Sequence, residues 1–280
     1  MSPRSNGTSE HRSRLGPMRM AEQVASALRE RILAADLRSG SILPKQEELV
    51  AEFGVSFPSV REALRILETE GLITIRRGNV GGAEVHAPDA TTAGYALGLA
   101  LQAQRTNIVD LGEALADMEP LTVARCARRS DRVEKVVPVL RALLAASEEQ
   151  LDDPVEFTVI GRRFHDALMS FNDNATEALV LRSLTSLWSV QEERWAEAAT
   201  KSGGYPDLEE RRKSLRAHQR ITDAIEDGDH ETGERVARTH LEASQRYVLP
   251  RMETEVVDAA SPSARAHYRA LGIVHPPHGD

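Results

Sequence analysis

The chain has 280 residues, room for two domains of ordinary size, and its 35 Lys and Arg against 43 Asp and Glu give a formal net charge of −8. A single cysteine, Cys126, excludes an internal disulfide and gives no sign of an oxidising compartment. No apolar run is long and uncharged enough to cross a bilayer, so the expected location is the cytoplasm, with no membrane partner.

Residues 1–19 carry Arg4, Arg12, Arg14 and Arg19 around no apolar core. They read as a flexible arm and not as a secretory signal. From residue 20 onward, Val24, Ala27, Leu28 and Ile32 share one helical face, and Leu49, Val50 and Phe53 mark a shorter amphipathic helix. Only Gly54-Val55 separates that helix from the next. Ser56 stands at the N-cap position, Pro58 lies in the first turn where a missing N–H costs little, and Val60, Ala63, Leu64 and Leu67 repeat at helical spacing. Leu72-Ile73-Thr74-Ile75 then reads as a strand, broken at Gly78 and resumed at Ala83-Glu84-Val85, with Gly78, Gly81 and Gly82 at the hairpin tip.

Three helices, a short Gly turn and a Gly-tipped hairpin in that order predict a winged helix-turn-helix over residues 20–86, a DNA-binding domain. Opposite the apolar stripe of its third helix lie Phe57, Ser59, Arg61 and Arg65, expected to reach base edges and phosphates. Arg76, Arg77, Gly78 and Asn79 form the expected wing contact. The bland alternative, a small helical domain with a solvated charged face, does not account for the order of the elements. Residues 1–86 hold 12 Lys and Arg against 11 Asp and Glu, and the remainder holds 23 against 32. DNA binding therefore has to rest on clustered arginines and on dimer avidity, not on a broad basic surface.

His86-Ala87-Pro88 reads as the domain junction, with residues 87–106 as linker and connecting helix. Helical patterns follow at about 91–104, 107–128, 131–149, 154–171, 175–198, 207–227 and 230–250. Residues 107–252 are expected to form a helical domain that binds an effector and holds a dimer, and 253–280 a loosely ordered tail. The expected fold is mainly α: an N-terminal winged helix-turn-helix plus a C-terminal all-helical bundle able to enclose a ligand cavity.

His218 and His240 flank Gly228, ten residues before it and twelve after. A helical turn at Gly228 sets both about 15–18 Å from the bend, at similar height on neighbouring helices. His165 lies within another helical segment. Three convergent neutral imidazoles suit Zn²⁺ or Ni²⁺, whereas each alone reads as a packed or exposed residue. Glu119 reads equally as a helix partner or a pocket residue, and Trp188 and Trp195, seven apart, as core. No phosphate-binding Gly-rich loop, dinucleotide fingerprint or nucleophile elbow is present, and no motif places a general base beside the histidines. No catalytic residue is assigned, and the chain is read as a non-enzyme.

The segments Leu43-Pro44, Glu48-Leu49, Phe53-Gly54-Val55-Ser56, Val60-Arg61-Glu62-Ala63-Leu64, Glu70-Gly71-Leu72 and Arg77-Gly78 resemble the GntR family of bacterial regulators. The resemblance implies that Ser56, Ser59, Arg61, Arg77 and Gly78 grip DNA. Glu47 and Phe57 stand where the family often has arginine, which implies a different operator preference, with Phe57 placed to touch a thymine methyl. Residues 107–245 resemble the ligand-binding FCD domain of the FadR-type branch through Met118-Glu119-Pro120, Phe164-His165, Asn174, His218, Ile221, Ala224-Ile225, Gly228-Asp229 and His240-Leu241. That resemblance implies a divalent metal on His165, His218 and His240 beneath a small-molecule effector, an organic acid or acyl metabolite. The family's fourth ligand, an aspartate, is Gly161 here, and a family arginine is Leu115, so the implied site is less anionic.

The expected function is a ligand-responsive transcriptional regulator, a repressor that binds a pseudo-palindromic operator as a homodimer. An architectural DNA binder whose helical domain only dimerises is the alternative, and a metalloenzyme fused to a DNA reader is the third reading.

Overall fold

The computed structural model describes residues 20–34, 36–76, 82–252 and 255–270. The chain forms two compact units, residues 1–88 and 89–280. In the first, α1 (Met20–Leu33), α2 (Gln46–Phe53) and α3 (Phe57–Thr69) precede a hairpin of β1 (Ile73–Arg76) and β2 (Gly82–Val85). The strands pair antiparallel from Ile73 opposite Val85 to Arg76 opposite Gly82. Ser56 caps α3 by accepting the Ser59 N–H, and Gly54 ends α2 in the left-handed conformation, so the turn between them spans only a few residues. Val60, Ala63, Leu64 and Leu67 of α3 are buried against Val24, Ala25, Leu28 and Ile32 of α1. Ala25 takes the buried place expected for Ala27, because α3 crosses α1 on the stripe that runs through Ala21, Ala25, Leu28 and Ile32.

One pairing was not foreseen. Residues 40–43 run along the far side of β2, with Leu43 N–H donating to the Ala83 carbonyl and Val85 N–H to that of Ser41, both at 2.8 Å. The first edge of the wing is therefore covered.

The second unit is all helix: α4 (Ala90–Ala103), α5 (Ile108–Arg128), a π-helical turn (Arg132–Val136), α6 (Val137–Glu149), α7 (Pro154–Ser170), α8 (Ala175–Lys201), α9 (Leu208–Asp227), α10 (His230–Met252) and α11 (Pro262–Ala270). Side-chain caps open α4, α5, α7, α8 and α9 from Asp89, Asn107, Asp153, Asn174 and Asp207. The single helix expected over 131–149 is divided, because Pro138 cannot donate to the Glu134 carbonyl and the turn before it widens. Pro120 similarly removes an N–H from the middle of α5. The Ala116 carbonyl it would have satisfied accepts a weak bond from Arg238 Nη1 of α10 at 3.4 Å, and nearby Gln245 donates to Gly112 at 2.6 Å.

Two expectations for this unit need correcting. The helix at 90–103 is not a free connector but packs lengthwise on α8. Gly94 and Gly98 allow the approach: a Cβ on Gly94 would lie 2.4 Å from Ser186 Oγ and 2.8 Å from the Ser183 carbonyl. Nor are the described residues of the tail loose. Val257, Ala259 and Ala264 are buried, and Gln102 Oε1 accepts from the amides of Ala259 and Ala260, both at 3.0 Å. Hydrogen bonds between 106–108 and 255–257 tie this segment to the start of α5. Its small apolar residues carry no periodic pattern, so only tertiary contact reveals them.

The apolar interior falls into two clusters. One gathers α4, the start of α5, the end of α8 and the tail around Leu187 and Trp188, with Trp195 also in it. The other gathers α5, α6, α7, α9 and α10 around Phe164, Leu168 and Leu140. Cys126 lies in the second, where burial pushes its thiol up to about 12.

Two outcomes follow. Gly94→Ala should lower the stability of the helical unit by about 1–3 kcal/mol through overpacking against backbone, despite the better helix propensity of alanine, as read by thermal unfolding of the full chain. Cys126 should resist a disulfide reagent at pH 8 in the native protein and react promptly once unfolded; fast native reaction would mean the thiol is not enclosed.

Candidate functional site

On α3 the buried residues leave Phe57, Arg61 and Arg65 on one exposed face at four-residue spacing, with Ser59 beside them half-buried. The Arg65 side chain is 74% exposed and only loosely paired with Glu62 at 3.9 Å. Two other cations of the unit are committed elsewhere: Arg29 is bidentate on Glu70 at 2.6 and 2.8 Å, and Arg31 holds Glu52 at 2.9 Å. Arg76 is the last residue of β1. Arg77, Gly78 and Asn79 lie outside the described residues.

In the helical unit His165 of α7, His218 of α9 and His240 of α10 come together. All three are buried, and His218 Nε2 stands 2.9 Å from His240 Nε2 and 3.2 Å from His165 Nε2. The glycine-ended hairpin does what the sequence spacing implied, with Gly228 left-handed at the end of α9. Two of the rings are held from outside the cluster. Phe164 stacks on His218 with centroids 4.2 Å apart. Glu119 of α5, itself buried, hydrogen-bonds Nδ1 of His165. The Glu119 carboxylate accepts there, so His165 donates through Nδ1 and turns Nε2 toward its neighbours.

Burial, then the neighbouring imidazoles, holds His218 well below the usual imidazole range; burial does the same for His240, with His165 and Arg162 adding to it. Both stay neutral at neutral pH. Burial pushes the Glu119 carboxyl up, but attraction to His165 and Arg162 outweighs it, and the group titrates below its ordinary value.

Donors about 2.1 Å from a common centre at tetrahedral or octahedral angles lie about 3.0–3.4 Å apart. The two Nε2 spacings from His218, 2.9 and 3.2 Å, lie at or close to that range and all three ligand atoms lie within 4.8 Å of one another, so these three residues could hold a metal ion. A Cβ at Gly161, one turn before His165, would meet only His218 Cε1 at 4.0 Å. The place of the family's fourth ligand is open space.

The imidazoles line a cavity of about 640 Å³ between α7, α8, α9 and α10. Its wall holds six Arg or Lys and two Glu, with Arg162 and Arg211 partly buried and Lys213, Arg220, Arg235 and Arg246 exposed. Arg162 is paired with Glu192 at 2.7 Å, both nearly buried. Tyr205 bonds Thr158 through its hydroxyl at 2.6 Å and lies between Trp195 and Arg211. Sequence reasoning found the histidines but not the roles of Glu119, Phe164, Tyr205 and Arg211. Glu119 and His165 are 46 residues apart, beyond any local pattern.

Residues 20–81 match the bacterial regulatory proteins of the gntR family, and residues 110–243 match the FCD domain. The chain belongs to the GntR family, with an FCD domain. It is 29% identical over 247 residues to the HTH-type transcriptional repressor NanR of Salmonella newport, an alignment covering 86% of this chain and 89% of that one. The NanR repressor of Salmonella typhimurium gives the same identity, at 86% and 88% coverage. The solved structure of Streptococcus agalactiae GntR shares the fold, with a TM-score of 0.61 at 22% identity over 81% of this chain and 99% of that one. This GntR-family chain is a DNA-binding transcriptional regulator, and its relatives are regulators, not enzymes. No helix among the described residues is long and apolar enough to cross a membrane.

Proposed function

We propose that this GntR-family regulator is a repressor that holds a pseudo-palindromic operator as a homodimer and is controlled by a small-molecule effector in the α7–α10 cavity. The observation that carries the reading is the buried convergence of three imidazoles in a cavity of about 640 Å³. A domain that only dimerised would gain nothing from such a void, since interiors pack to high density. The basic wall favours an acidic effector, an organic acid or acyl metabolite. A few kcal/mol of differential affinity between two placements of the DNA readers is enough to empty an operator. Such a regulator works in the cytoplasm, where its DNA is.

In this reading the DNA-contacting residues are Ser56, Phe57, Ser59, Arg61 and Arg65 of the α3 face and Arg76, Arg77, Gly78 and Asn79 of the wing. The helical domain holds the dimer; residues 1–19, read from the sequence as an arm, lie outside the described residues. His165, His218 and His240 hold a divalent ion, Zn²⁺ or Ni²⁺, and Glu119 orients the first of them. The ion would supply a Lewis-acidic anchor for an effector carboxylate. Gly161 makes that anchor less anionic than the family's and leaves room beside it.

Arg61→Ala should abolish binding to an operator selected from random duplex DNA while changing stability by no more than about 0.5 kcal/mol. Wild-type binding by this variant in a mobility-shift assay at matched salt would mean that the recognition face is misassigned. Protein purified without a histidine tag should carry one divalent ion per chain by elemental analysis. His218→Ala with His240→Ala should remove it, Glu119→Gln should weaken it by about 10–100-fold, and Gly161→Asp should tighten it. No metal in the wild type and no gain in Gly161→Asp would leave the imidazoles to bond the effector directly.

A further inference from the structure

The same cavity contains buried donors that nothing in the protein satisfies. Nε and Nη1 of Arg211 and Nε1 of Trp195 are buried without a hydrogen-bond partner among the described residues. Buried donors left unpaired cost about 1–3 kcal/mol each, more when charged, so such a group in a cavity wall points to a missing acceptor. Both side chains pack on one ring, that of Tyr205. Trp195 and Tyr205 have centroids 5.3 Å apart, and the Arg211 guanidinium lies 5.9 Å from the Tyr205 centroid. The acidic groups of the wall are already engaged. Glu192 holds Arg162 and accepts from Trp188 Nε1, and Glu210 holds Lys213 at 2.5 Å.

The position of this wall relative to the imidazoles follows from the helices. Tyr205 is fixed to Thr158, seven residues before His165 on α7, and Arg211 is seven residues before His218 on α9. Seven residues are two turns, about 10 Å along each helix. One turn before each histidine stands a small residue, Gly161 on α7 and Ser214 on α9, and both line the cavity. The void thus has imidazoles at one end, unsatisfied donors about two turns away, and small side chains between.

We propose that Arg211 and Trp195 Nε1, both packed on Tyr205, form a second anchoring point that takes the far carboxylate of an elongated ligand whose near end faces the three imidazoles. Two donor side chains match the two oxygens of a carboxylate better than the three of a phosphate monoester. This assignment rests on the reading of the cavity as the effector site.

The test uses the full chain as purified and α,ω-dicarboxylates from glutarate to suberate, each compared by calorimetry with the monocarboxylate of equal carbon number. In the wild type, at least one dicarboxylate should bind about tenfold or more tighter than its monocarboxylate partner. Arg211→Met, which keeps the side-chain length over Tyr205, should erase that difference while the monocarboxylate binds as before. Trp195→Phe, which removes only the N–H and keeps an aromatic ring, should reduce the difference severalfold and gives a second reading if Arg211→Met folds poorly. No discrimination in the wild type, or full discrimination retained in Arg211→Met and Trp195→Phe, would overturn the second anchor. Operator binding is measured in parallel with the best dicarboxylate. Discrimination with no change in operator affinity would keep the anchor and sink the effector reading; lost discrimination with operator release intact would do the reverse.

Discussion

Three imidazoles packed nitrogen to nitrogen in a protein interior are tolerable only if they do not all carry charge and cannot turn away from one another. That constraint organises the helical unit. Protonating one of them would put a charge among neighbours that cannot rotate to solvate it, and burial keeps His218 and His240 uncharged. Rotation is blocked from three directions: by the Phe164 ring against His218, by the Glu119 carboxylate on His165, and by the close pairing of α9 with α10. Phe164 and His165 are consecutive on α7. The same turn therefore delivers one ligand and the ring that pins another, and its register cannot slip without losing both.

The other electrostatic feature is the separation of charge along the chain. Arg29 and Arg31 are used to tie α1 to residues of the DNA-reading unit, leaving the α3 face with its own cations outward. Surface pairs of this kind contribute little to stability, so their effect here is to set where free positive charge is presented. In the helical unit the situation is inverted. Its acidic balance lies over the surface, while the cavity wall is rich in Arg and Lys. A field confined by low-dielectric walls is stronger than one spread over a surface, so an acidic domain can still draw an anion to its interior.

Much of this was legible in the sequence wherever the signal was local. The Ser56 cap, the Gly54 turn and the stripe Val60, Ala63, Leu64, Leu67 are each contained within a few residues, and all appear where expected. The trio of histidines was legible because Gly228 fixes the heights of His218 and His240 without knowledge of the rest of the bundle. What escaped depends on contacts between distant segments. The π-helical turn before Pro138, the docking of α4 on α8 through Gly94 and Gly98, and the burial of Val257 and Ala259 follow from neighbours that no periodicity names. Glu119 was left undecided between structure and pocket, and it is both: a buried residue of α5 whose carboxylate reaches a residue of the site.

Leu115, where the family has arginine, is 2% exposed and packed with Ile108, Leu111 and Trp188. An unpaired cation in that low-dielectric surrounding would cost several kcal/mol, so an apolar side chain suits the place. Glu119 is held by His165 through one oxygen and Arg162 is paired with Glu192, while Glu119 Oε2 is buried without a partner among the described residues. Arg211 stands in the cavity wall with its guanidinium over Tyr205 and two nitrogens buried and unpaired among the described residues. An anion entering the cavity would give those donors the acceptor that the bundle does not supply.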